Sequence, residues 1–184
     1  RIVNNAASIA DIGWGGGLES RIVNNAASIA DIGWGGGLFI QGGDPSAPII
    51  INGNTFEGNT ASLTSEGQGG GVYLFTPPGA LSTLSRNTFY DNYGSRAAGW
   101  GGGGGLYLWR SDGLTLEANR FISNTASAFG NGYGGAIYAP YAVVFTMTNN
   151  LLAQNHATEE GGGLWLDTSA LITGTLVNNT LADN

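Results

Sequence analysis

Apolar residues in this chain come in short alternating runs and never settle into the 3.6-residue beat of a helix. After each glycine cluster the first and third residues are aliphatic: Leu38 and Ile40, Val72 and Leu74, Leu106 and Leu108, Ile137 and Ala139, Leu164 and Leu166. The residue between them is aromatic every time: Phe39, Tyr73, Tyr107, Tyr138 and Trp165. A period of two predicts a strand with one buried face. A second short strand, as in "LTLE" from Leu114, precedes each recurring asparagine. The 33 glycines oppose helix throughout.

The asparagines set the beat. The template N-x-Φ-x-x-N, with Φ a Phe or an aliphatic residue, opens at Asn54, Asn87, Asn119, Asn150 and Asn179. It closes at Asn59, Asn92, Asn124, Asn155 and Asn184, and Asn25 and Asn5 occupy the closing position further upstream. Successive steps from Asn25 are 34, 33, 32, 31 and 29 residues. Two or three short strands repeated about every 30 residues predict an all-β parallel β-helix, a β-solenoid whose coils stack like residues on like. Leu84, Leu116, Met147 and Leu176 are expected to stack inside, as are Phe56, Phe89, Phe121, Leu152 and Leu181. The asparagines are expected at bends, adopting left-handed backbone and bonding the Asn above and below. Glycines before each strand allow a tight bend against the neighbouring coil. "TSEGQGGG" and "GSRAAGWGGGG" read as variable loops at one corner.

One irregularity stands at the start. Arg1–Leu18 recurs without a change as Arg21–Leu38, and the step from Asn5 to Asn25 is 20 residues. The first copy has the Asn bend and the Gly strand but lacks the second strand of the later coils. Two readings are open: an artefact of assembly, or a recent duplication acting as a small end coil. Residues 21–184 read as a single β-helix segment of about five coils, part of a longer chain or a stacking subunit.

Composition narrows the partners. A net charge of −7 argues against nucleic acid and against an anionic membrane surface. No apolar run is long enough to span a bilayer. The absence of cysteine removes disulfides and thiolate chemistry. With 10% of residues charged and 42% hydrophobic, the chain is not of the charge-driven disordered class.

"FEGN" (Phe56–Asn59), "FYDN" (Phe89–Asn92), "FISN" (Phe121–Asn124) and "GGAI" (Gly134–Ile137) carry a resemblance. The chain resembles the right-handed parallel β-helix proteins of the pectate-lyase-like superfamily. Within them it is most similar to non-catalytic surface proteins with tandem F-x-x-N and G-G-A-[ILV] motifs, such as bacterial polymorphic outer-membrane proteins, and to anchored secreted repeat proteins. That resemblance implies export, surface display and adhesion. Most copies here carry Gly in place of the motif's Ala.

Enzymes share the fold, and their chemistry needs clustered acids on one strand face. Here Asp44, Glu57, Glu66, Asp91, Asp112, Glu117, Asp167 and Asp183 are scattered, and Glu159–Glu160 reads as a solvated loop pair. Arg86, Arg96, Arg110 and Arg120 form no column with an acid. His156, the single histidine, takes the place of Thr60, Tyr93 and Thr125 after a ladder Asn and reads as a bend residue. "GNGYGG" from Gly130 meets a nucleotide-loop spacing with no helix to follow it. Flat Thr-x-Thr arrays of the ice-binding kind read as absent. No cofactor or metal is expected.

The remaining candidate is the aromatic column Phe39, Tyr73, Tyr107, Tyr138 and Trp165, widened by Trp109. If its aliphatic neighbours face inward, these rings face outward, to bind glycans or proteins, or simply to stiffen the sheet under covering loops. The expectation is a non-catalytic extracellular stalk, adhesin passenger or filament subunit, contacting itself end to end or laterally, or cell-surface glycans and proteins. The alternative is a segment of a polysaccharide lyase or hydrolase, or of a glycan-binding β-helix, with active coils elsewhere.

Overall fold

A complete coil turns through five short parallel strands, two to five residues long. The computed structural model describes residues 21–41, 49–76, 79–110, 113–141, 144–166 and 173–184, with the backbone of 2–3, 6–8 and 13–14. One coil reads Thr88–Tyr90 (sheet A), Tyr93–Ser95 (B), Gly101–Gly102 (C), Leu106–Trp109 (D) and Leu114–Glu117 (E). Stacked coils give five parallel sheets, of seven strands in A and five in each of the others. Register is strict: Phe89 lies beside Phe56 and Phe121, and Tyr107 beside Tyr73 and Tyr138.

The duplicated segment pairs with its own copy. Ile2 lies beside Ile22, Ala6 beside Ala26 and Gly13 beside Gly33. Among the described residues, sheets D and E begin at Leu38–Gln41 and Ile49–Asn52.

The corners depart from expectation in an informative way. The ladder asparagines are not the left-handed residues; the residue before each one is. Asn24, Asp91, Ser123, Gln154 and Asp183 precede the closing Asn with φ of 52–57°. Arg86, Ala118, Asn149 and Asn178 do the same before the opening Asn. The left-handed residue turns the chain, and the following Asn is thereby aimed into the coil.

There it is buried and saturated. Asn92 Nδ2 donates to Phe56 O and to Asn124 Oδ1, each at 2.9 Å. Its own Oδ1 accepts from the backbone N and Nδ2 of Asn59 at 3.0 and 3.1 Å. The opening ladder repeats the pattern through Asn54, Asn87, Asn119, Asn150 and Asn179. The closing ladder runs from Asn25 to Asn184.

A third polar column runs up sheet B. Ser62 Oγ accepts from Ser65 N and donates to Asp31 O of the preceding coil. Ser28, Ser95 and Ser127 occupy the same position, and Thr158 continues the column. This column turns the supposed variable loops into a regular corner. "TSEGQGGG" and "GSRAAGWGGGG" contain the sheet C strands Gly67–Gln68 and Gly101–Gly102.

The D strand then starts at a bend only glycine fits. Gly103 has φ +61°, and a methyl on Gly104 would overlap the backbone of Thr125.

Leu74, Leu84, Leu106, Leu116, Met147 and three stacked phenylalanines form the core inside the coils. Phe56, Phe89 and Phe121 lie 5.0 and 4.4 Å apart and nearly parallel. Leu176 and Leu181 are in register with these columns but 55% and 56% exposed, because among the described residues no strand pairs on their far side.

Candidate functional site

The aromatic column stands where strand parity puts it, on the outer face of sheet D. Phe39 and Tyr73 stack at 5.0 Å, Tyr73 and Tyr107 at 5.1 Å, and Tyr138 and Trp165 at 4.6 Å. Tyr107 and Tyr138 lie 5.2 Å apart, tilted by 45°.

Of the readings open for the column, exposed or covered, the structure shows a covered one. Tyr107 is 2% exposed, and Tyr73 and Tyr138 are buried too. The cover comes from sheet C and its flank, which meet sheet D at the glycine bend. Trp34 packs on Phe39 and Tyr73. Trp100 meets Tyr107 and Tyr138 edge-on, and Tyr133 packs beside Tyr138 and Trp165.

Gly102 explains how Trp100 gets in. In register with Gln68 and Tyr133, it carries no side chain, and a Cβ there would press on the Trp100 ring. The result is a second apolar cluster outside the barrel, of Tyr73, Tyr107 and Tyr138 with seven half-buried rings packed around them. Trp109 widens it as expected, stacking on Tyr107 and meeting Tyr141 edge-on at 4.5 Å.

The chemistry follows from the burial. Burial pushes the Tyr73 phenol up to about 12. Tyr107 is raised as well, by burial first and then by neighbouring Tyr73, Tyr138 and Tyr141. These phenols stay neutral and are poor proton donors at neutral pH. Stacked rings also spend their faces on one another, so the column offers solvent edges, whereas sugar stacking needs a free face. At its end, Trp165 Nε1 donates to Glu160 Oε2 at 2.9 Å.

Over residues 20–184 the sequence matches the family described as right handed beta helix region. The chain belongs to that family. No curated protein and no solved structure matches it.

In this right-handed β-helix the other candidates remain separate. His156 bridges to Thr125 in the column after the ladder Asn, as its alignment implied. Glu57 pairs with Arg21, Val23 and Tyr90 rather than with a second acid. Arg96 bonds Thr60 through Nε and lies 4.0 Å over the Tyr93 ring. Among the described residues, no three His, Asp or Glu come together as a metal site. Asp44, Asp112 and Asp167 lie outside the described residues. Among the described residues, no helix is long and apolar enough to cross a membrane.

The sequence reading missed two sets of residues. The covering rings Trp34, Trp100 and Tyr133 sit outside the period-two runs. The hydroxyl column on sheet B was present in the strings "NAAS", "NTAS", "NYGS" and "NHAT".

Proposed function

We propose that this β-helix is a non-catalytic structural module of an extracellular or surface-displayed bacterial protein, serving as a stalk or adhesive passenger. One observation carries the reading: its buried polar columns are used from coil to coil. Asn25, Asn59, Asn92, Asn124 and Asn155 each bond the Asn of the next coil, and the opening ladder does likewise. Side chains so committed stiffen a rod and leave none of their atoms free for proton transfer. The F-x-x-N and G-G-A-[ILV] motifs support the surface setting, since they are shared with displayed repeat proteins. Lateral and end-to-end contacts between copies belong to the same reading, with cell-surface glycans or proteins as further partners.

Two measurements on the purified chain test it. Incubation with pectin, alginate and neutral polysaccharides should release neither reducing ends nor unsaturated products; depolymerisation of any of them would overturn the non-catalytic reading. Beads coated with the chain should be retained on cell or matrix surfaces above beads coated with an unrelated acidic β protein. Equal retention would leave a stalk and remove the adhesive role.

A further inference from the structure

The outer faces of the sheets differ in chemistry. Sheet D is covered by rings, and sheet A carries Arg21, Glu57, Tyr90 and Arg120. Sheet E carries hydroxyls. Its central outward column is Ile50, Thr83, Thr115, Thr146 and Thr175, in continuous register. Thr arrays read as absent from the sequence, because these threonines line up only through backbone register.

Further hydroxyls flank the column two residues along the strand, Ser85 and Thr148 on one side and Thr173 on the other. Glu117 is the one charged residue within the five strands.

Two observations separate this column from the rest of the polar architecture. Among the described residues, the hydroxyls of Thr83, Thr115, Thr146, Thr148 and Thr175 make no hydrogen bond, whereas the Asn and Ser columns are bonded from coil to coil. The face is also regular. Its strands pair without a bulge, and the opening Asn ladder runs along their C-terminal edge. Each Thr thus presents one hydroxyl and one methyl, repeated at about 4.8 Å along the axis, and Thr83, Thr146 and Thr175 each have a further hydroxyl about 6.6 Å along the strand, at Ser85 (bonded to Asn52 Oδ1), Thr148 and Thr173. Unsatisfied hydroxyls at fixed spacing hold first-shell waters at fixed spacing. Methyl groups between them, and the near absence of charge, leave those waters few competing partners.

We propose that the outer face of sheet E binds ice, whose prism planes repeat water oxygens at closely similar intervals in two directions. A second copy fits less well. Five rungs of about 4.8 Å and strands of about 3.3 Å per residue present roughly 350 Å², against the roughly 800 Å² per partner of a stable protein interface. An extended crystal sets no such minimum, because matching is made group by group.

The test is partition into ice grown slowly on a cold finger, with an unrelated acidic protein of similar size in the same solution. The wild-type chain should be enriched in the ice fraction, and T115Y, which places a ring in the middle of the column, should lose that enrichment. T88Y, on the outer face of sheet A, should keep it. Circular dichroism checks the fold of each variant, with T146K as a second disruption if T115Y unfolds. Exclusion of the wild-type chain from ice to the same extent as the control protein overturns the proposal, as does equal partition of the sheet A and sheet E variants. None of these outcomes bears on polysaccharide cleavage or surface retention, so this inference and the proposed function fail separately.

Discussion

The barrel interior and the aromatic wall outside sheet D are both apolar, but they are built on different rules. Inside, most core positions are aromatic or aliphatic in every coil. Phe56, Phe89 and Phe121 superpose, and the buried side chains of the flanking Asn ladders are bonded from coil to coil. Outside, the wall is improvised. Trp34, Gln68, Gly102 and Tyr133 share one column, and Trp100 swings in over the gap that Gly102 leaves. The Trp34 indole N–H is buried there without a partner. The interior is constrained by every coil at once, because each side chain meets a copy above and below. The wall need only fill a concave corner, so its residues vary while its volume is kept.

The sharpest break of that comparison is one deletion on each side. Phe89→Ala removes the middle ring of a fully buried stack and should cost about 3–5 kcal/mol, read from chemical denaturation. Tyr107→Ser removes the most buried ring of the wall and should cost less, about 2–3 kcal/mol, because the outer layer relaxes more easily. A Tyr107→Ser variant as stable as wild type would return the column to open surface. A cost equal to that of Phe89→Ala would make the wall a second core in the full sense.

Asn92→Ala comes next. It strips partners from the Asn59 amide, Phe56 O and Asn124 Oδ1 in one step. At about 1–3 kcal/mol per buried group left unpaired, with partial relief from relaxation, the loss should approach 3 kcal/mol. Asn92→Ser, able to restore one or two of the bonds, should fall between. If Asn92→Ala proved neutral, the ladder would be a consequence of the coil rather than a cause of its stability.

The wall also has a pH signature that the interior lacks. In the unfolded chain a tyrosine ionises near pH 10, while burial holds Tyr73 neutral to about 12 and raises Tyr107 too. Between those values the unfolded chain gives up protons that the folded chain keeps. The stability contributed by the neutral phenols is therefore complete below about pH 10 and is lost as pH rises toward 12. Denaturation midpoints followed from pH 9 to 12 should fall, and phenolate absorbance should develop in an early and a late phase. Tyr107→Phe should shrink the late phase. A single phase near pH 10 would place all these rings in water.

What was legible in the sequence follows the same division. The Asn and Phe columns announce themselves because the coil demands the same kind of residue at each bend, so the closing Asn recurs at steps of 29–34 residues with Phe or Leu three residues before it from Phe56 onward. Sheets B and C gave no such signal as strands: two- and three-residue arcs such as Gly101–Gly102 are too short for a period of two to show. The aromatic column was readable as far as parity goes, since alternation tells inside from outside of the barrel. Alternation carries nothing about what lies over the outside. The cover is set by where the Gly bend folds sheet C against sheet D, and by a missing side chain at Gly102. The Thr column on sheet E was hidden for a related reason. Its members follow different neighbours in each coil, "STLS", "LTLE", "FTMT" and "GTLV", and align only through backbone register.

The corners supply the smallest effect and the one with the opposite sign. Before the opening ladder Asn the left-handed position is held by Gly53, Arg86, Ala118, Asn149 and Asn178 in successive coils. Four of these are residues with a Cβ, for which the conformation costs roughly 1–2 kcal/mol unless the side chain can bond locally, as Asn does. Ala118 has a Cβ and no such bond, and it is exposed at φ +53°. Ala118→Gly should therefore stabilise the protein, by less than about 1 kcal/mol once the greater freedom of glycine in the unfolded chain is set against the relieved strain. Ala118→Asn should gain a similar amount without that entropic offset. If both substitutions destabilise, the left-handed turn is not strained at this position. The coil would then be imposing the corner through the buried Asn119 and its bonds to Leu84 O and Asn150, with the preceding residue merely carried along.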